Sequence, residues 1–237
     1  NRVIKGKSEI TVDFARKLEL IFGLKTSFWL NLEADYREQL ARKEDYNNIE
    51  EEKEIVNNLP YSKMVKLGWI DKARKMEEKI KELRSFFRVS KLTLIDDVYS
   101  YAFREKGGEK SSNLAQAAWI ARGEMLASEL DVEKFNSKRL KDNIEKIREL
   151  TIKEDPSFIE DLKKICSECG IKLVLVPRLP KTYVHGVTKW LDKDTVLIQL
   201  SLRYKHGDIL WFSFFHELAH LLIHGKRIIN NNKEIKI

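Results

Sequence analysis

The stretch TVLIQLSLRYKHGDILWFSFFHELAHLLIHG, residues 195–225, largely decides how this chain folds. Its first seven residues are rich in apolar side chains and bounded by polar ones, which predicts a strand. The following run from Ile209 to Ile223 is almost wholly apolar, which predicts a buried helix. The ionisable residues that interrupt that run are His216, Glu217 and His220. Ionisable groups among phenylalanines and leucines need a chemical explanation.

The spacing of these three residues is typical of a metal site. Helical side chains four residues apart lie on one face, so His216 and His220 can present two imidazole nitrogens to one zinc ion. Glu217 is offset around the helix, where its carboxylate can accept a proton from a water that attacks a peptide carbonyl. H-E-x-x-H is the zinc metallopeptidase signature. The apolar neighbours strengthen this interpretation, because burying an imidazole costs free energy unless it is coordinated or hydrogen-bonded. The alternative is that both histidines make ordinary hydrogen bonds.

A catalytic zinc ion normally has three protein ligands, and the motif supplies two. His224 lies eight residues beyond His216, about 12 Å along a helix axis, and is not expected to reach the same ion. Glu234 is the one carboxylate after His220 in the sequence. The third ligand is therefore Glu234 or a residue beyond Ile237.

Two further short strands are predicted before residue 195. IKLVLVP begins at Ile171 and YVHGVTKWL begins at Tyr183. His185 precedes Gly186 in the second run, where it can stabilise the oxyanion of a tetrahedral intermediate; a surface histidine is the alternative. Other aromatic or imidazole donors near the predicted cleft are Tyr183, Tyr204 and His206.

The rest of the chain is predicted to be helical, so the fold class is α+β, mainly α. Thr11 and Gly23 are suited to begin and end a first helix, and a second runs from Ser27 to about Leu40. Residues 42–60 are polar and end in proline, which is typical of a linker. The predicted domains are residues 1–41 and 61–237.

Composition restricts the partners only weakly. Lys and Arg number 44 against 37 Asp and Glu, a formal charge of +7 that permits an acidic partner such as nucleic acid. Solvated Lys/Glu helices give the same balance. Cys166 and Cys169 are the chain's two cysteines, which fits a reducing cytosol, and we interpret them as structural. No membrane segment is predicted.

The segment VHGVTKWLDKDTVLIQLSLRYKHGDILWFSFFHELAHLLIHGK, residues 184–226, resembles the ImmA/IrrE family of zinc metallopeptidases. The resemblance implies that the two histidines bind zinc and that the glutamate is the general base. It also implies an acidic third ligand from a later helix and a small β-sheet followed by a zincin-type active-site helix.

The segment NRVIKGKSEITVDFARKLELIFGLKTSFWLNLEADY, residues 1–36, resembles the end of a Cro/C1-type (XRE) helix-turn-helix as in HigA-like antitoxins. In that pattern the recognition helix precedes IKGK. Arg2, Lys5 and Lys7 are then candidates for contacts with DNA phosphates, or else form a solvated basic turn.

Together the two resemblances predict a cytoplasmic, zinc-dependent metallopeptidase attached to a DNA-binding module. It would cleave or control a repressor, antitoxin or cognate toxin. DNA binding would require the complete helix-turn-helix, and the resemblance implies a homodimer. One alternative is a HigA-like transcriptional regulator whose metallopeptidase-like domain is not catalytic. Another is a purely structural helical module.

Overall fold

The computed structural model describes residues 3, 8–99, 110–153, 155, 157–182, 184–202 and 207–224. The chain divides into two compact units, Asn1–Glu54 and Ile55–Ile237. Ten α-helices, one 3₁₀ helix and a three-stranded mixed sheet occur in the described residues. This confirms the predicted α+β, mainly α, fold class.

The first unit begins with a helix that has a clear start and stop. Helix α1 spans Val12–Phe22, and the Thr11 side chain accepts a hydrogen bond from the Phe14 N–H (3.3 Å). Gly23 ends the helix with φ of +72°, in the left-handed region that glycine tolerates. Both ends agree with the predicted helix.

Helix α2 is longer than the sequence predicts. It spans Thr26–Asn58, so the proposed linker over residues 42–60 is helical for most of its length. Ion pairs one turn apart support the polar part, including Arg37–Glu33 (2.7 Å) and Arg42–Glu38 (2.5 Å). Each such pair contributes about 0.2–0.5 kcal/mol, and Ile55 and Val56 near the end of the helix are buried. The division between the two units lies at residues 54–55, inside this helix.

The second unit contains the remaining helices and all three strands. Its helices before the sheet are α3 (Tyr61–Lys66), α4 (Met76–Phe87), the 3₁₀ helix (Leu92–Leu94), α5 (Ile95–Val98), α6 (Lys110–Ser128), α7 (Ser137–Asp142), α8 (Ile144–Leu150) and α9 (Phe158–Glu168). The strands and the last helix are β1 (Ile171–Pro177), β2 (Gly186–Trp190), β3 (Val196–Leu202) and α10 (Gly207–His224).

The sheet has the order β1-β3-β2. Strand β1 pairs with β3 in parallel, from Ile171 opposite Val196, and β2 pairs with β3 in antiparallel. The second pairing sets Gly186 opposite Leu200 and Thr188 opposite Ile198. Strand β2 is therefore an edge strand within the described sheet.

Helices cover both faces of the central strand. Ile198 and Leu200 of β3 belong to one buried cluster with Phe214 and Leu218 of α10. On the other face, the Gln199 side chain donates to the Trp119 carbonyl of α6 at 2.7 Å. Burial on both sides explains why β3 is a nearly continuous apolar run. The sheet thus lies between α10 and α6.

Helix α10 is held on the sheet by one face. Phe214, Leu218 and Leu221 are at most 4% exposed and pack into the cluster that includes β3. The opposite face carries Phe212, His216, Ala219, His220 and Ile223, which are exposed. Packing therefore fixes the helix while its histidines face outward.

Candidate metal centre

The two histidines of α10 converge. The Nε2 atoms of His216 and His220 are 3.1 Å apart, and their rings stand perpendicular with centroids 4.6 Å apart. Two nitrogens bound at about 2.0–2.1 Å to one tetrahedral zinc ion lie roughly 3.3 Å apart. The pair therefore fits two positions of a zinc site with little rearrangement. The same contact also allows one neutral imidazole to donate to the other.

The surroundings of the histidines differ from the prediction. His216 and His220 are exposed in the part of the chain that the structure describes, whereas Glu217 is 7% exposed. The sequence argument from buried imidazoles was therefore wrong, because the apolar flanks lie on the sheet side of α10. Convergence of the two nitrogens is the observation that supports a metal site.

Glu217 has a specific partner in the sheet. The Thr188 hydroxyl donates to Glu217 Oε2 at 2.7 Å. Burial raises the pKa of the Glu217 carboxyl, while the Thr188 hydrogen bond and the nearby His220 and His216 act in the opposite direction. A carboxylate with a raised pKa is better suited to accept a proton than an exposed one.

Gly186 allows the strand to approach this carboxylate closely. A Cβ on Gly186 would lie 2.8 Å from Glu217 Cγ and 2.9 Å from Oε1, closer than real Cβ atoms come to heavy atoms. Any larger residue would displace either β2 or the Glu217 side chain. Glycine at this position therefore allows β2 to pack closely on α10 without moving the Glu217 side chain.

An open cleft of about 670 Å³ connects the predicted catalytic groups. Its lining residues are Val184, His185, Gly186, Asp208, Ile209, Phe212, Ser213, His216 and Glu217. The cleft brings His185 to the same space as His216 and Glu217, although strand β2 begins one residue later than His185. The His185 carbonyl accepts from the Ser201 N–H at 2.9 Å, which fixes the backbone beside the cleft.

Several predicted site residues lie outside the residues that the structure describes. They are the third-ligand candidate Glu234, the DNA-binding candidates Arg2, Lys5 and Lys7, the side chain of His224, and Tyr183, Tyr204 and His206. Within the described ranges, no group of three or more His, Cys, Asp or Glu side chains is arranged to hold a metal ion. The described part of the candidate site therefore contains two of the predicted ligands, His216 and His220, and the predicted base, Glu217.

The two cysteines are part of the core. Cys166 and Cys169 are unpaired and have no exposed surface. Burial raises the pKa of both thiols, which disfavours the thiolate needed for metal binding or redox chemistry. Their position agrees with the structural interpretation.

Sequence reasoning missed Thr188. The residue lies two positions after Gly186 in β2, and a strand's period of two places both on the face that meets α10. This alternation of side chains along β2 was the signal in the sequence that could have identified Thr188. The partner itself could not be read from the sequence, since Thr188 and Glu217 are 29 residues apart.

Comparison with known proteins gives no assignment: no protein-family model, no curated protein and no solved structure matches this chain. Among the helices that the structure describes, none has the length and apolar character needed to cross a membrane.

Proposed function

We propose that this protein is a zinc-dependent metallopeptidase-like regulator that acts on a repressor-, antitoxin- or toxin-type protein. The observation that carries the proposal is the 3.1 Å approach of His216 Nε2 and His220 Nε2, beside the buried carboxylate of Glu217. The three groups lie within two turns of one helix, and His216 and Glu217 line one open cleft.

Each residue has a defined part in this proposal. His216 and His220 would hold zinc, with Glu234 as the proposed third ligand. A bound zinc ion acts as a Lewis acid toward a peptide carbonyl and makes water more acidic. Glu217 accepts a proton as the water oxygen bonds to the carbonyl carbon. It then gives that proton to the amine nitrogen as the C–N bond breaks. His185, which lines the same cleft as His216 and Glu217, would donate toward the developing oxyanion.

The proposal extends to location and DNA. We place the protein in the cytoplasm as a homodimer, with DNA bound through a complete helix-turn-helix. Arg2, Lys5 and Lys7 would then contact phosphates, so DNA affinity should fall steeply with salt. The described helices α1 and α2 are compatible with the end of such a domain.

Substitution of the general base tests hydrolysis directly. Zinc-loaded protein should cleave members of a library of internally quenched peptides, and Glu217→Gln should lower kcat by about 10²- to 10⁴-fold while zinc content stays the same. Glu160→Gln on the exposed surface of α9 is the matched control and should keep the wild-type rate. Cleavage that survives Glu217→Gln would remove Glu217 from this role.

A second candidate function is protein binding without hydrolysis, as in an antitoxin-type regulator. It is favoured by the exposed apolar side chains at the end of α1, where Leu20, Ile21 and Phe22 are 86%, 72% and 62% exposed. Exposed apolar patches of this kind often mark protein-binding surfaces. This candidate predicts that Ile21→Asp weakens partner capture and that zinc-loaded protein shows no peptide turnover.

A further inference from the structure

Thr188 is the residue that links the proposed general base to the sheet. Its Oγ1 lies 2.7 Å from Glu217 Oε2 and 3.3 Å from the Glu217 main-chain oxygen. A threonine hydroxyl carries one proton, and the shorter contact, to the carboxylate, is the stronger hydrogen bond. Oε2 is therefore engaged by Thr188.

The other carboxylate oxygen lies on the Gly186 side. Oε1 is 2.9 Å from the position that a Cβ on Gly186 would take, and Gly186 and Glu217 both line the cleft. Thr188 does not line it. The two carboxylate oxygens therefore have different surroundings. Oε2 accepts the hydrogen bond from Thr188 in the strand, whereas Oε1 is available to a proton-transfer partner in the cleft.

The residue that donates this hydrogen bond has restricted side-chain and backbone conformations. Thr188 is β-branched, which restricts its χ1, and it is paired with Ile198 in the antiparallel ladder. In contrast, the terminal torsion of a glutamate is broad and roughly two-fold, so the carboxylate alone has no strongly preferred orientation. A fixed hydroxyl on one side and Gly186 on the other restrict that rotation.

We infer that Thr188 is the positioning residue for Glu217 and orients the carboxylate so that Oε1 receives the proton from the attacking water. This inference rests on the proposed function for its catalytic consequence. The structural part of the inference, that the Thr188 hydroxyl sets the orientation of the Glu217 carboxylate, does not depend on the proposed function. Thr188 acts through Glu217 and does not itself touch the reacting atoms.

Thr188→Val and Thr188→Ser test the inference in the full chain. Valine keeps the branched shape and removes the hydroxyl, so kcat for the peptide library should fall by about 10- to 100-fold, with KM changed less than about twofold. Serine keeps the hydroxyl and should restore most of the rate. Thr151→Val is the matched control, because it also removes a hydroxyl hydrogen bond (2.7 Å, to the Arg148 carbonyl) but outside the cleft.

Crystal structures of wild type, Thr188→Val and Thr188→Ser separate this inference from the proposed function. The Glu217 carboxylate should rotate or lose its defined orientation in the valine variant and keep it in the serine variant. That result with an inactive wild type supports the inference and contradicts the proposed function. An unmoved carboxylate in Thr188→Val, or an equal loss of kcat in the serine and valine variants, overturns the inference.

Discussion

The contact between Gly186 and Glu217 gives a prediction about single side chains. Gly186→Ala should lower the free energy of unfolding by about 1–3 kcal/mol, because the new Cβ would overlap Glu217 Cγ at 2.8 Å. Without that clash, alanine in a strand is more stable than glycine by roughly 0.5–1 kcal/mol. Urea unfolding followed by circular dichroism measures the change.

A double-mutant cycle provides the control. In a Glu217→Ala background the obstructing atoms are absent, so Gly186→Ala should become neutral or stabilising. An equal loss of stability in both backgrounds would show that the destabilisation does not come from a steric clash between the alanine Cβ and the Glu217 side chain.

The sequence predicted which side chains of α10 lie together better than it predicted their surroundings. His216, Glu217 and His220 follow from helix periodicity, because neighbours on one helix face are fixed by local geometry. The exposure of the imidazoles and the Thr188 partner depend on which face of α10 meets the sheet. That choice is set by tertiary packing and by the register of β2 on β3, which local patterns do not specify.

Helix ends show the same division between local and long-range causes. The first helix was correctly bounded by Thr11 and Gly23. The sequence DKARKMEEKIKELRSFF favours a helix from Asp71 onward, but α4 begins at Met76. The Tyr61 hydroxyl donates to the Asp71 carbonyl (2.9 Å) and accepts from the Ala73 N–H (3.0 Å), so a residue ten positions away holds this backbone outside the helix.

The cap of α1 can be tested by substitution. Thr11→Ala removes the oxygen that accepts from the Phe14 N–H and should destabilise the start of α1 by about 0.5–2 kcal/mol. Amide hydrogen exchange at the first turn should become faster, by about fivefold for a loss of 1 kcal/mol. Thr11→Ser keeps the acceptor and should exchange like wild type. Unchanged exchange in Thr11→Ala would mean that the cap contributes nothing.

The pH dependence of stability tests the packing of the helical middle. Tyr99 is 6% exposed, and burial, with a smaller contribution from Glu124, raises its pKa to about 12. An unfolded tyrosine ionises near pH 10. Between these values the unfolded state loses the proton first, so the folded protein loses stability as pH rises from about 10 to 12.

Tyr99→Phe isolates this contribution. The variant should lose less stability than wild type over the same pH window, by on the order of 2 kcal/mol. Denaturant titrations at several pH values measure the difference. Parallel curves for the two proteins would contradict a buried, neutral Tyr99.

The proposed hydrolysis, and with it the catalytic consequence of the Thr188 contact, depends on a metal held by His216 and His220. Zinc affinity of the purified protein, measured by competition with a chelator, tests this most directly. We predict one tight site that His216→Ala and His220→Ala each weaken by more than about 100-fold. His185→Ala, a histidine from the same cleft, should leave the affinity within about threefold. Equal zinc affinity in all four proteins would contradict the account.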